Sequence, residues 1–232
     1  MPSRPIHLRP ATELAERVLL PGDPHRALAV AQDILDQPLM FNHARGLWGY
    51  TGRAPDGRPL TVQSTGMGGP STAIVVEELI GLGAETLIRI GTCGAIEDGF
   101  ELGQLVTVGG VLAADGLSAS LEAGPRLTPN RALTDALAAG GAPVATAVST
   151  DLFYDPREGI AAKWRAAGAQ VVEMEAATLL ALAERRGVAG AVLLAVSDVL
   201  TDGARHRMGR EALEAAGIAL GRAGCAALTR AR

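Results

Sequence analysis

Cysteine is nearly absent from this chain. Cys93 and Cys225 are the only two, too few and too far apart for a disulfide framework or a metal knuckle. The four histidines, His7, His25, His43 and His206, show no metal-ligand spacing, and no Ser-His-Asp order stands out. Metal chemistry and serine-hydrolase chemistry therefore rank low. A basic excess is also missing: 21 Lys and Arg stand against 25 Asp and Glu, a net charge of −4, with an isoelectric point near 5.6. Nucleic-acid binders usually carry a broad basic surface, so that partner is not expected. A few arginines can still make a positive pocket for a small anion. No run approaches the ~18 apolar residues of a membrane span, and the opening Met1-Pro-Ser-Arg-Pro5 has no apolar core for a signal peptide. The expectation is a cytoplasmic protein without a membrane partner. Repeats, low-complexity tracts and linkers are missing too, so residues 1–232 read as a single domain.

What is present is apolar residue, 48% of the chain, ample for a sizeable core. Short β-branched or Leu-rich runs alternate with longer Ala/Leu-rich stretches, the pattern of an α/β fold. Strands are expected at Arg17–Leu20, Leu60–Ser64, Thr86–Ile90, Leu105–Val108, Val144–Ser149, Gln170–Glu173 and Ala191–Val196. Helices are expected at Pro24–Leu35, Pro70–Leu82, Asn130–Ala139, Gly159–Ala167, Met174–Arg186 and Met208–Arg230. Pro55-Asp-Gly57 between two runs reads as a β-hairpin. Ala113–Leu127 has few periodic cues and reads as a loop.

Four segments carry groups suited to chemistry. In Leu20-Pro-Gly-Asp-Pro-His-Arg26, Gly22 would let backbone N–H groups approach an anion at a helix start, and Arg26 could fork onto a phosphate. A Pro/Gly turn with a solvated arginine is the plainer reading. In Arg89-Ile-Gly-Thr-Cys-Gly-Ala95, a small-residue loop after a buried strand would present N–H groups and the Thr92 hydroxyl beside Arg89. Alternatively Arg89 pairs with a carboxylate at the sheet end, because a buried arginine needs an anionic partner of some kind. Glu173 and Glu175, in Val172-Glu-Met-Glu-Ala176, are expensive on an apolar strand unless they meet hydroxyls or cations. A vicinal sugar diol would satisfy one; a helix-start acid accounts for Glu175 without a ligand. Asp198, at the end of the apolar run Ala191–Val196, is a candidate general acid, since burial can raise a carboxyl's pKa. An Asx turn is the usual job of such a residue.

Together these segments resemble the hexameric-type purine nucleoside phosphorylases of the purine/uridine phosphorylase family. The resemblance runs from His7 to Asp198. It also takes in Arg45-Gly-Leu-Trp-Gly-Tyr-Thr-Gly52, Ser64-Thr-Gly-Met-Gly-Gly-Pro-Ser71, Ser149-Thr-Asp-Leu-Phe-Tyr154 and Ser197-Asp198. It implies a single-domain fold with a central mixed sheet flanked by helices, a homohexamer built as a trimer of dimers, and phosphorolysis of purine nucleosides. No cofactor or metal is implied; inorganic phosphate is the co-substrate.

The resemblance also implies roles. Gly22, Arg26, Arg89 and Thr92 would hold phosphate, with Arg45 reaching in from a neighbouring subunit. Glu173, Met174 and Glu175 would line the ribose site, Glu175 on the 2′- and 3′-hydroxyls, with Met67 close by. Phe153 would stack on the base, and His7 of the neighbour would contact the 5′-hydroxyl. Asp198 would protonate N7 of the leaving base, with Ser197 beside it. Three features depart from the family pattern. Asp202–Arg210 is rearranged, leaving the role of Arg205, Arg207 and Arg210 open, while Gly66–Ile74 and Thr92 lean towards the uridine enzymes. Asp155-Pro-Arg-Glu-Gly159 lacks the glutamine and arginine with which those enzymes read a pyrimidine. That lack, together with Asp198, favours purine. A uridine phosphorylase is the alternative, and a methylthioadenosine phosphorylase or a nucleosidase ranks lower.

Overall fold

Alternation along the buried strands decides where the polar groups go. Successive strand residues face opposite sides of a sheet, and a sheet covered on both faces is apolar throughout. In β1 (Arg17–Pro21), Val18 and Leu20 join one hydrophobic cluster and Leu19 the other. In β5 (Thr86–Ala95), Leu87 and Cys93 belong to the first and Ile88 and Ile90 to the second. Arg89 has the parity of Leu87 and so emerges on the first face.

The computed structural model describes residues 5–201 and 204–231. Its strands are β1, β2 (Asp36–Asn42), β3 (Gly49–Arg53), β4 (Pro59–Gln63), β5, β6 (Leu105–Ala114), β7 (Arg126–Leu127), β8 (Val144–Thr150), β9 (Val171–Glu173), β10 (Ala189–Thr201) and β11 (Ala204–Arg207). All belong to one sheet of mixed direction, ordered β11-β10-β6-β8-β9-β5-β1-β4-β3-β2, with β7 on β6. The long strand β10 pairs with both β5 and β6. The strands β10, β6, β8, β9 and β5 therefore close into a ring, which strand twist permits. Helices α1 (Pro24–Ile34), α4 (Arg131–Ala138) and α7 (Arg210–Arg230) cover one face. On the other lie α2 (Gly69–Gly81), α3 (Gly116–Ser120) and α6 (Ala176–Arg186), while α5 (Ile160–Ala166) precedes β9.

The expected α/β class and mixed sheet are present. The hairpin at Pro55-Asp-Gly57 joins β3 to β4, with Arg53 opposite Pro59. Several expectations are corrected. Ala113–Leu127 is not a loop: it holds the end of β6, α3 and β7. The five-residue α3 is too short to show periodicity; it is started by Asp115, whose carboxylate accepts the Ser118 N–H and hydroxyl, both at 2.9 Å. β2 is a strand without a strand-like sequence: Asp36-Gln-Pro-Leu-Met-Phe-Asn42 carries a proline, which a sheet tolerates at an edge, and β2 is the edge strand. β5 runs on to Ala95 instead of stopping at Ile90, and α6 begins at Ala176, not Met174.

Candidate functional site

A cavity of about 570 Å³ opens beyond the end of β1, against the C-terminal halves of β5 and β10, the side on which α/β sheets gather their ligands. Gly22, Arg26, Met67, Arg89, Thr92, Phe153, Glu173, Met174, Glu175, Ser197 and Asp198 all border it. Segments more than 100 residues apart in sequence thus meet in one place.

Arg89 is the centre of the first end. Its Nε donates to Glu173 Oε2 at 3.1 Å and its Nη2 to Glu175 Oε2. The carboxylate partner expected at the sheet end is real, and there are two. Glu173 is wholly buried; it takes the Ser149 hydroxyl and the N–H groups of Glu175 and Ala176. Burial pushes its carboxyl above the ordinary range against the pull of Arg89. Glu173 is thereby committed to capping α6, and the Ser149 hydroxyl caps Ala177 N–H at 2.9 Å. Glu175, at the cap position itself, gives no side-chain cap. Its carboxylate instead reaches Arg89 and accepts the Gly68 N–H at 2.6 Å. Of the two glutamates, Glu175 is the one not spent on capping α6.

Arg26 stands beside this cluster. Among the described residues it has no carboxylate partner, and burial together with the nearby Arg89 lowers its pKa. A guanidinium held half-buried beside another cation is relieved by an anion. Arg89 Nη1, buried and without a hydrogen-bond partner among the described residues, offers a second donor.

Two backbone expectations change here. Asp23 caps α1 by accepting the N–H groups of His25 and Arg26 at 2.6 and 3.2 Å, so the helix start is already filled by a carboxylate. Gly91–Ala95 are strand residues and not a loop: β10 pairs along one edge, and on the other β1 reaches only to Ile90 and β9 pairs only with Gly94 and Ala95. Gly22 and the side chains of Arg26, Arg89 and Thr92 all border this end of the cavity.

The far end is built by β10, β11 and Phe153. Ser197 Oγ donates to Asp198 Oδ2 at 2.7 Å and also meets the Cys93 carbonyl at 3.1 Å. Arg205 Nε lies 3.2 Å and Arg207 Nε 3.7 Å from Asp198 Oδ1. The pair is electrostatic, since Oδ1 makes no well-aligned hydrogen bond among the described residues. Both guanidinium groups also lie over the Phe153 ring, 5.4 and 5.7 Å from its centroid, in cation–π range. Arg205 and Arg207 share a strand face two residues apart. The sequence left the role of Arg205 and Arg207 open, and the pairing of β11 with β10 places both beside Asp198. Trp164, Thr150 and Leu213 also line the cavity; nothing in their local sequence singles them out.

Arg45 and His7 lie elsewhere in this chain. Arg45 is exposed in the 3-10 turn Ala44–Gly46, at φ 59. His7 Nδ1 meets Glu78 Oε1 at 2.8 Å. Asp155, within the segment that departs from the uridine pattern, borders the cavity and is held by Arg157 Nε at 2.8 Å.

Two cations at one end, a carboxylate in the middle, and a second carboxylate with an aromatic ring at the far end are groups suited to an anion and to a hydroxylated, ring-bearing molecule. The sequence profile of the Phosphorylase superfamily matches residues 16–231, and the chain belongs to that superfamily. A DeoD-type purine nucleoside phosphorylase of Alkaliphilus metalliredigens is 36% identical over 200 residues, covering 82% of this chain and 85% of that protein. Another, from Clostridium beijerinckii, is 36% identical over 208 residues, covering 85% and 87%. Among solved structures, a uridine phosphorylase from Vibrio fischeri in complex with 6-hydroxy-1-naphthoic acid superposes with a TM-score of 0.83 at 24% identity, covering 93% of this chain and 92% of that one. At that identity the likeness is one of fold.

Proposed function

We propose that this enzyme cleaves purine ribonucleosides, and deoxyribonucleosides, by phosphorolysis. The observation that carries this reading is the order of groups along one cavity: Arg26, Arg89 and Thr92, then Glu175 with Met174, then Phe153 and Asp198. That order matches phosphate, sugar and base. A phosphate oxygen attacks C1′ while the C1′–N9 bond breaks, and the bond's electron pair leaves with the base. Asp198 delivers a proton to N7, which keeps the leaving base neutral. The transition state is oxocarbenium-like, so Glu175 and phosphate, both anionic, stabilise it more than they do the neutral nucleoside.

Asp198 and the purine-cleaving relatives support purine over uridine. The paired arginines support phosphate over water as nucleophile, which sets the nucleosidase reading behind. The enzyme requires no metal or cofactor in this scheme. Each site borrows Arg45 and His7 from a neighbouring subunit of a hexamer arranged as a trimer of dimers.

The test is base release from adenosine, inosine, guanosine, 5′-methylthioadenosine and uridine, with and without phosphate. Purine release that requires phosphate is expected. Preferred cleavage of uridine, or release at full rate in phosphate-free buffer, would overturn the proposal.

A further inference from the structure

Arg26 is held from behind by a helix that the catalytic scheme leaves out. Gly217 is buried in α7 where that helix crosses α1. A Cβ added at Gly217 would stand 3.1 Å from Arg26 Cγ, 3.3 Å from Cδ and 3.4 Å from Nε. One turn further on, a Cβ at Gly221 would meet Val30 Cγ1 at 2.5 Å. Both contacts advance by four residues on each helix, so the helices pack in register. Arg222 holds that register from outside through Asp33 at 2.6 Å.

Gly217 has no conformational reason to be glycine. Its φ is not in the left-handed region, and glycine inside a helix destabilises it relative to alanine. What its bare Cα does is admit the aliphatic stem of Arg26, whose hydrocarbon length packs while its head stays polar. Leu213, one turn earlier on α7, lines the cavity itself, so this face of α7 forms the wall behind the anion end. Arg89 is seated in a similar way: a Cβ at Gly91 would lie 2.8 Å from its Nη2.

We propose that Gly217 is a positioning residue for phosphate: the space it leaves sets how deep the Arg26 stem lies and therefore where its guanidinium stops. The inference rests on Arg26 as an anion ligand. A methyl group at Gly217 displaces the stem by a few tenths of an ångström, and a larger side chain displaces it further.

The experiment is steady-state kinetics on Gly217→Ala, Gly217→Val, Arg26→Ala and the Gly217→Ala/Arg26→Ala pair. Gly217→Ala should raise the phosphate KM on the order of tenfold, the scale of a small misplacement at a reacting group, and leave the nucleoside KM unchanged. Gly217→Val should raise it more. In the Arg26→Ala background Gly217→Ala should add nothing, because its effect runs through that side chain. Should the valine variant misfold, the rise in Tm caused by phosphate, compared between wild type and Gly217→Ala, reads the same site without turnover and should shrink. Equal changes in both KM values, or the same increment with and without Arg26, would overturn the proposal. Unchanged phosphate saturation in Gly217→Ala removes the role of Gly217 alone. Unchanged saturation in Arg26→Ala removes the anion role of Arg26 and this inference with it.

Discussion

Arg26 and Arg89 border the same end of the cavity, yet they differ in what else depends on them. Arg89 neutralises two buried carboxylates, Glu173 and Glu175, and Arg26 neutralises none among the described residues. Arg89→Ala should therefore lower kcat/KM for phosphate at least a hundredfold, about 3 kcal/mol, and also weaken nucleoside binding, since Glu175 loses its anchor. Arg26→Ala should raise the phosphate KM and spare the nucleoside KM. Steady-state titration of each substrate separates the two, and near-normal phosphate saturation in the Arg89 variant would rule out this anion site. At the other end, an ionised Asp198 accepts a hydrogen bond from a 6-amino group and a protonated one donates to N7. Asparagine has no proton to transfer, and with its amide NH2 turned towards N7 it suits a 6-oxo base. Asp198→Asn should damage adenosine cleavage far more than inosine or guanosine cleavage, and in kcat more than KM. Equal losses on adenosine and inosine, or a wild type inactive on adenosine, would show that Asp198 does not set base choice.

Elements are held in place by ion pairs outside the cavity, and the most buried of these joins β1 to the β3–β4 turn. Arg17 Nη1 meets Asp56 Oδ2 at 2.8 Å with both side chains nearly inaccessible. Arg58 N–H and the Thr229 hydroxyl of α7 donate to the same carboxylate. Arg17 chiefly holds the Asp56 carboxyl down at about 2, from an ordinary 3.8. A depressed carboxyl contributes stability that is whole above its unfolded value and disappears as pH falls through its folded one. Asp56→Asn leaves Arg17 buried without its charge partner and should cost about 3 kcal/mol near neutrality. The Tm difference between wild type and variant should hold from neutral pH downwards and close between 3.8 and about 2. A gap that is absent near neutrality would show that the pair contributes nothing to stability, and one that does not change with acid would show that the contribution does not come from the ionised carboxylate.

At the scale of the whole molecule the charges at the phosphate end matter. Arg26 and Arg89 carry two positive charges, and Glu173 and Glu175 two negative ones when ionised, so this cluster has no surplus for a phosphate dianion. The proposed Arg45 from a neighbouring subunit supplies one. Mixing Arg45→Ala with Glu175→Ala protein should restore partial activity, because hybrid assemblies contain some sites with both residues intact. Full activity from a species of monomeric mass by light scattering would rule out the shared site.

The sequence by itself determined the α/β class and the hairpin at Pro55-Asp-Gly57, which depend on local periodicity and turn residues, and its resemblance to a family pointed to many of the residues that border the cavity, which sit in motifs a few residues long. Side-chain direction in β5 was legible in the same way: Arg89 two residues from Leu87 must share its face. Only the tertiary structure decided how those groups are used. Glu173 and Glu175 are two residues apart and chemically alike, yet one caps α6 and the other faces the cavity, a division set by where Ser149 and Gly68 come to lie. Gly91–Ala95 read as a loop in one dimension, but in three they continue β5 alongside β10. Arg205 and Arg207 became site residues because β11 folds back on β10 and carries them to Asp198 and Phe153. Gly217 took on meaning only when α7 was laid across α1. Each of these depends on contacts between segments far apart in the chain, and local pattern carries no record of such contacts.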